Sequence, residues 1–375
     1  MKIKIFFLIN IIIVLFLSGC SSVQIHERLM IQGLGIDKEN DHYIITAQVF
    51  PTYASIEEEG EGVELIISQG KSVFDAIQNM SEQTGKKPLY AQNLIVVIGK
   101  DLALQGIDNV MDFFVRYHES RPSVKLVISK TSAKDILSFK QDSKTIIAQD
   151  IVSLAESKKI TSNVLSSDIL DFISSLQSEI SDPSTVCVDI KDFQGKSVIT
   201  TDGQAVFNKD KLIGFLNKDE TLGALIIGGG VSNITDVINI EDLGSVTYTL
   251  EKSFSDINSE IIDGKNQFDI MIKTDADLFE MDRNISNNLN QDILEIIKSS
   301  IEHRITYLCK SAINKSVFDY HSDIFSFGRI VSKQNTDYYK HLYGNGNLKE
   351  EILNTNYNIK THVNIKGTGQ EKSVS

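Results

Sequence analysis

The sequence predicts an α+β or mixed α/β protein of several domains, with mixed sheets covered by helices and one long amphipathic helix packed on a C-terminal sheet. Three observations predict it. Strand-like and helix-like stretches alternate from Val63 to Leu176. Strand patterns punctuated by turn pairs such as Asp202-Gly203 and Asp263-Gly264 dominate residues 184–279. From Gln291 the apolar period lengthens to that of a helix.

In chain order, "MIQGLGIDKENDHYIITAQVF" gives two strand-like runs around a polar cluster at Lys38–Asp41, which predicts a β-hairpin. Glu57-Glu58-Glu59-Gly60-Glu61-Gly62 is expected to be a solvated loop. "VELIIS" reads as a strand. Ser72, with Asp75 three residues on, has capping-box-like spacing for a helix with Val73, Phe74, Ile77 and Met80 on one face, ended by Gly85. "LIVVIG" reads as a buried strand, "IDNVMDFFVRY" as a helix and "VKLVIS" as a strand. A helix follows from Ser132, again with an aspartate, Asp135, at the box spacing. Helical stretches at Ile146–Ser157 and Ser166–Leu176 complete this region, and Asp182-Pro183 marks a break before the strand "STVCVDI".

The second half opens on the expected short strands "SVITTDG", "QAVFN", "KLIGFLN" and "LGALIIGGG", with turns at Asp202-Gly203 and Asn208–Asp210. Longer alternating runs fill Ser245–Phe279 around Asp263-Gly264. One amphipathic helix then carries Ile293, Ile296/Ile297, Ser300/Ile301, Ile305, Leu308 and Ala312 at helical spacing. The last strand, "NYNIKTHVNIKGTG", puts Ile359, Thr361, Val363 and Ile365 on one face.

The N-terminus has the profile of a secretory signal: Lys2 and Lys4, then a nearly unbroken apolar run to Leu17. As a helix, Ile3–Leu17 reaches only about 22 Å, short of the roughly 30 Å hydrocarbon core. The quartet Leu17-Ser18-Gly19-Cys20 resembles the lipobox of bacterial lipoproteins. That resemblance implies cleavage between Gly19 and Cys20 and lipid attachment to the Cys20 thiol. Two acyl chains at about 0.8 kcal/mol per buried CH₂ hold a protein stably where one is marginal. The mature chain is therefore expected on a membrane, outside the cytoplasm.

Composition is that of an ordinary globular protein: 375 residues, 41% hydrophobic and 23% charged. The net charge of −13 disfavours nucleic-acid binding and docking to anionic lipid through a basic patch. Cys187 and Cys309 are expected to be buried free thiols, since nothing in their spacing indicates a disulfide.

The sequence contains no GxSxG, HExxH, GxxxxGK[ST] or CxxC pattern, and its seven histidines include no helical i, i+4 pair. "GLGID" (Gly33–Asp37) lacks the third glycine and following helix of a dinucleotide site. Asp275, Asp277 and Asp282 lack the central glycine and terminal glutamate of a calcium loop. Gly228-Gly229-Gly230 reads as a turn. No catalytic residue, cofactor or metal site is expected, and a binding or assembly module is favoured over an enzyme.

Several of these stretches, in order, resemble the C-subunit lipoproteins of bacterial spore germinant receptors. In the N-terminal half they are "LGIDK" and the run from Gly70 through "VIGKDLA" to the helix at Ala133, including Phe74, Ala76 and Arg116. In the C-terminal half they are "QAVFNKDKLIGFLNKDETLGALII", then "SDIFSFGR" with Asp323, Phe325, Phe327 and Gly328, and the closing strand with Gly369. The chain departs from the family in having no tryptophan, with Ser21-Ser22 and Tyr338-Tyr339 near places where the family commonly has one.

The resemblance implies a lipid-anchored, non-enzymatic receptor subunit on the outer face of the spore inner membrane. Its implied partners are the membrane subunits A and B, and its implied roles are receptor assembly and germination signalling. Similar proteins fold into three mixed α/β domains. The alternative is a solute-binding lipoprotein that delivers a small nutrient to a transporter, which needs a deep cleft between similar lobes. The expected organisation is a signal peptide at 1–19, a lipidated tether at 20–32, an N-terminal α/β domain at 33–197, a small β-rich middle domain at 198–244 and a C-terminal α/β domain at 245–370.

Overall fold

The computed structural model describes residues 27–50, 63–117, 123–139, 146–156, 167–229, 231–346 and 348–367. The signal peptide, Gly19, Cys20, the Glu57–Gly62 loop, Gly230 and Gly369 lie outside them. Two mixed sheets covered by helices, the character the sequence predicts, organise the described chain.

The first sheet has ten strands. Its main order is β10 (Lys211–Leu216), β9 (Lys196–Asn208), β8 (Ser184–Phe193), β6 (Lys125–Ser129), β5 (Ile95–Ile98), β1 (Arg28–Glu39), β2 (His42–Val49) and β3 (Glu64–Gly70). Two short strands lie off this path: β4 (Lys87–Leu89) pairs with β1, and β7 (Ser167–Asp168) with β6. The sheet is mixed, because β1, β5, β6 and β8 run parallel while its remaining hairpin pairs are antiparallel.

Its strands are apolar on both faces because helices cover both. On β5, Val96 and Ile98 join a core with α1 (Val73–Thr84), α2 (Lys100–Gln105), α3 (Asp108–Arg116) and α6 (Ile169–Leu176). The alternate residues Ile95 and Val97 join a second core with α4 (Ala133–Leu137) and α5 (Ile147–Glu156). A period of two thus divides one strand between two cores.

The expected caps are present. Ser72 Oγ accepts from Asp75 N at 3.1 Å, Ser132 Oγ from Asp135 N at 2.9 Å, and Gly85 ends α1 at φ +66°. Phe74 departs from the expected apolar face: it is exposed, and Ala76 takes the buried position.

The second sheet is β11 (Ser232–Ile240), β12 (Gly244–Ile262), β13 (Lys265–Met281) and β14 (Asn356–Gly367), with β14 parallel to β13. One face packs on α9 (Gln291–Ile313), whose Ile297, Ile301, Ile305, Leu308 and Ala312 are buried as expected. The same core takes in α10 (Phe327–Gln334), α12 (Leu348–Leu353), and Val206 and Leu216 of the first sheet. The short α8 (Arg283–Asn287) precedes α9, and between α10 and α12 runs α11 (Thr336–Gly344). β12 outruns β11, and side chains cover its free edge: Ser259 N donates to Gln334 Oε1 at 2.7 Å, and Gln334 Nε2 donates to Ile257 O at 3.1 Å.

"LGALII" is helical, not a strand. It lies in α7 (Lys218–Ile227), opened by a full capping box between Asn217 and Glu220. Thr221–Ile227 are all buried, so the helix carries no polar stripe and its apolar run reads like a core strand. Gly223 lets α7 lie against the Leu308 carbonyl of α9, where a side chain has no room. Arg304 of α9 fixes the same contact, with two hydrogen bonds of 2.9 Å to Asp219 and one of 2.9 Å to Asp236 on β11.

Asp202-Gly203 is a bulge inside the continuous strand β9, not a turn: Gly203 has φ +91°, and the register with β8 shifts beside it. The turn is at Gln194-Gly195, with φ of +55° and +81°. Residues 198–244 consequently build no sheet of their own; β9 and β10 complete the first sheet and β11 opens the second. Cys187 and Cys309 are free and buried in different cores. Among the described residues no helix is long and apolar enough to cross a membrane.

Candidate functional site

The sequence-predicted signature residues Asp323, Phe325, Phe327 and Gly328 come together where the two sheets meet. The chain leaves α9 through a π-helical turn at Asn314–Asp319 and must reverse before α10. His321 and Ser326 take positive φ, +51° and +58°, to make that reversal. Inside it the Asp323 carboxylate accepts three backbone N–H groups, from Phe325 at 3.2 Å, Phe327 at 3.0 Å and Gly328 at 2.9 Å. It thereby caps the first turn of α10.

Phe327 is fully buried, with ring centroids 4.7 Å from Phe268 and 4.9 Å from Tyr357. A Cβ on Gly328 would lie 2.8 Å from the Ile180 carbonyl oxygen, so only glycine lets α10 sit this close to the first half.

Asp182 holds the other side. Its N–H donates to Asp323 O at 2.8 Å, and its Oδ2 accepts Asp323 N at 2.8 Å. Lys349 of α12 closes the group by donating to Asp182 Oδ1 at 3.1 Å and Asn208 Oδ1 at 2.9 Å. Ser322 Oγ donates to Phe207 O at 2.7 Å, and Tyr320 Oη to Phe215 O at 3.2 Å. Burial first, and the Asp182 charge among the other causes, push the Asp323 carboxyl up to about 6 against the opposing pull of its N–H donors. Beside the joint lies a cavity of about 570 Å³, its lining including Asp108, Glu179, Asp182 and Asp210 against Lys209 and Lys349.

Asp182, Asn208 and Lys349 escape sequence reading. Asp182-Pro183 shows only as a break, and nothing local pairs it with a residue 141 positions away. The near-miss motifs have structural employment. Asp37 of "GLGID" accepts Ala133 N at 2.8 Å and Lys134 N at 2.9 Å, capping α4. Asp275 pairs with Lys366 at 2.6 Å, and Asp282 accepts Ser245 N at 2.7 Å. Burial raises both thiols above the ordinary range, Cys187 to about 12, so neither is a ready nucleophile. Among the described residues no group of three or more His, Cys, Asp or Glu side chains could hold a metal ion.

Two family models match the chain in succession. One, described as the spore germination protein N-terminal domain, covers residues 21–190; the other, described as spore germination B3/GerAC-like, C-terminal, covers 202–369. The chain belongs to the GerAC-like family of spore germination proteins.

This GerAC-like chain is 25% identical to spore germination protein B3 of Bacillus subtilis strain 168 over 347 residues, 90% of this chain and 91% of that protein. It is 25% identical to spore germination protein YndF of the same organism over 278 residues, 72% of this chain and 67% of the relative. The crystal structure of the GerBC protein has the same fold, with a TM-score of 0.53 at 22% identity over 89% of this chain and 96% of that one. The two matched regions interlock: β9 and β10 lie largely or wholly in the second, yet hydrogen-bond onto the sheet built by the first. Asp182 and Asp323 likewise come one from each region.

Proposed function

We propose that this GerAC-like chain is a lipid-anchored, non-enzymatic subunit of a spore nutrient receptor, working through its surfaces in receptor assembly and germination signalling. The observation that carries the reading is the ordered match of both family regions along the mature chain. Cys20, carrying a diacylglyceryl group after cleavage at Gly19, holds the subunit on the outer face of the spore inner membrane, beside the membrane subunits A and B. The joint supports a structural role: the Asp323 carboxylate is engaged by three N–H groups, and Asp182 by Lys349 and backbone donors. The two sheets differ in size and strand order, which favours this reading over a solute-binding protein with two similar lobes.

Cys20→Ala in the sporulating host is the test. The variant should leave the membrane fraction, fail to co-purify with the A and B subunits and germinate poorly on nutrient. Full membrane retention together with a normal nutrient response overturns the reading.

A further inference from the structure

A second cavity, of about 650 Å³, opens between the β1–β2 turn, the start of α1 and one face of α3. Its wall is aromatic. Phe113 and Tyr117 stack with centroids 5.2 Å apart at 20°, and Tyr90 braces Tyr117 edge-on at 5.3 Å, so the wall is held before any ligand arrives. Phe74 stands at the cavity 49% exposed, although its neighbours Val73, Ala76 and Ile77 are buried. A ring left half in water is apolar area still available for binding.

The charges lining this cavity select the other end of the ligand. Among the lining side chains Lys38, Lys71 and Arg116 face Asp41 and Asp112, an excess of one positive charge at the wall itself, with the Asp75 carboxylate outside the lining on the Lys71 backbone N–H at 2.7 Å. Arg116 is tied to Asp112 at 2.8 Å, and Lys38 to Asp41 at 3.6 Å. The Lys71 ammonium has no partner among the described residues. An aromatic wall, a concave space of this size and a few polar groups are the usual features of a small-molecule site.

We propose that this cavity binds a small organic anion with an apolar or aromatic body, its body against Phe74, Phe113 and Tyr117 and its anionic end on Lys71. This inference does not rest on the receptor reading.

The test is titration calorimetry of the full-length protein in detergent, with detergent alone as the blank. The probes are 3-phenylpropionate, its neutral amide and 3-phenylpropylamine. The carboxylate should bind saturably, about threefold to fivefold more tightly than the amide, as an exposed ion pair gives, and more tightly than the amine. Lys71→Gln should abolish the preference for acid over amide, and Lys71→Arg should keep it. Phe74→Ala should weaken acid and amide alike. Both side chains are solvent-exposed, so the variants keep the wild-type fold, which circular dichroism checks. Absence of saturable binding, equal affinity for acid and amine, or binding unchanged in both Lys71→Gln and Phe74→Ala overturns the proposal and leaves this face to a protein partner.

Discussion

Asp182 and Asp323, 141 residues apart, exchange two hydrogen bonds of 2.8 Å each, one in either direction. Each residue supplies one backbone N–H. Asp323 answers with its carbonyl and Asp182 with its carboxylate, which leaves the Asp323 carboxylate free to cap α10. The two family regions are thus fastened by one backbone–backbone bond and one bond from backbone to the Asp182 carboxylate, and the side chains around them hold that fastening in place.

The Asp323 carboxyl sits at about 6 against an ordinary value of 3.8. Between those values the native state holds a proton that the unfolded chain has shed, so this group's contribution to stability falls as pH rises from about 4 through 6. From about pH 7.5 down to about pH 5, wild type should gain on the order of 1 kcal/mol relative to Asp323→Asn. Urea unfolding of both proteins at the two pH values measures it. A gap that does not move with pH removes the burial account.

Phe327→Ala empties the centre of the aromatic cluster formed with Phe268 and Tyr357. A cost of about 3–5 kcal/mol is expected. Phe193→Ala, at a ring 67% exposed, should stay within about 0.5 kcal/mol of wild type in the same thermal or urea melt. Comparable costs would mean that Phe327 is not a core anchor.

Gly223→Ala puts a methyl group into the Leu308 carbonyl of α9. Because the obstacle is backbone, the helices must separate, and a loss of about 1–3 kcal/mol is expected. Gly264→Ala meets no atom within 4 Å but sits at φ +76°, so it tests turn strain alone and should cost about 1 kcal/mol. If the Gly223 variant melts like wild type, the close helix approach is wrong.

Gln334→Ala removes the amide that pairs with Ser259 N and Ile257 O on the free edge of β12. Hydrogen exchange at the Ser259 amide should accelerate, while amides of the β5–β6 pair in the first sheet keep their protection. Equal acceleration everywhere would point to global destabilisation instead of a local clasp.

Much of the fold was legible because its signals are local. The Lys38–Asp41 turn, the Ser72 and Ser132 caps, Gly85 and the period of α9 each depend on neighbours within one or two turns. What failed was α7, whose residues Thr221–Ile227 are buried on every side and leave no stripe to count. The usable signal was its start, Asn217 with Glu220 three residues on. Asp202-Gly203 misled because the dipeptide that makes a tight turn also makes a bulge, and only the pairing of β9 with β8 decides between them. Of the joint, the Asp323 side carried a recognisable signature, whereas Asp182 and Lys349 gained their roles only when distant segments met.

The position of β1 carries a mechanical consequence. This first strand lies inside the ten-stranded sheet, antiparallel to β2 and parallel to β5. A pull on the chain ahead of Arg28 therefore enters the middle of the fold and loads the flanking ladders in shear, many bonds at once, where an edge strand could peel away bond by bond. A molecule held from that end would transmit tension into its interior before giving way.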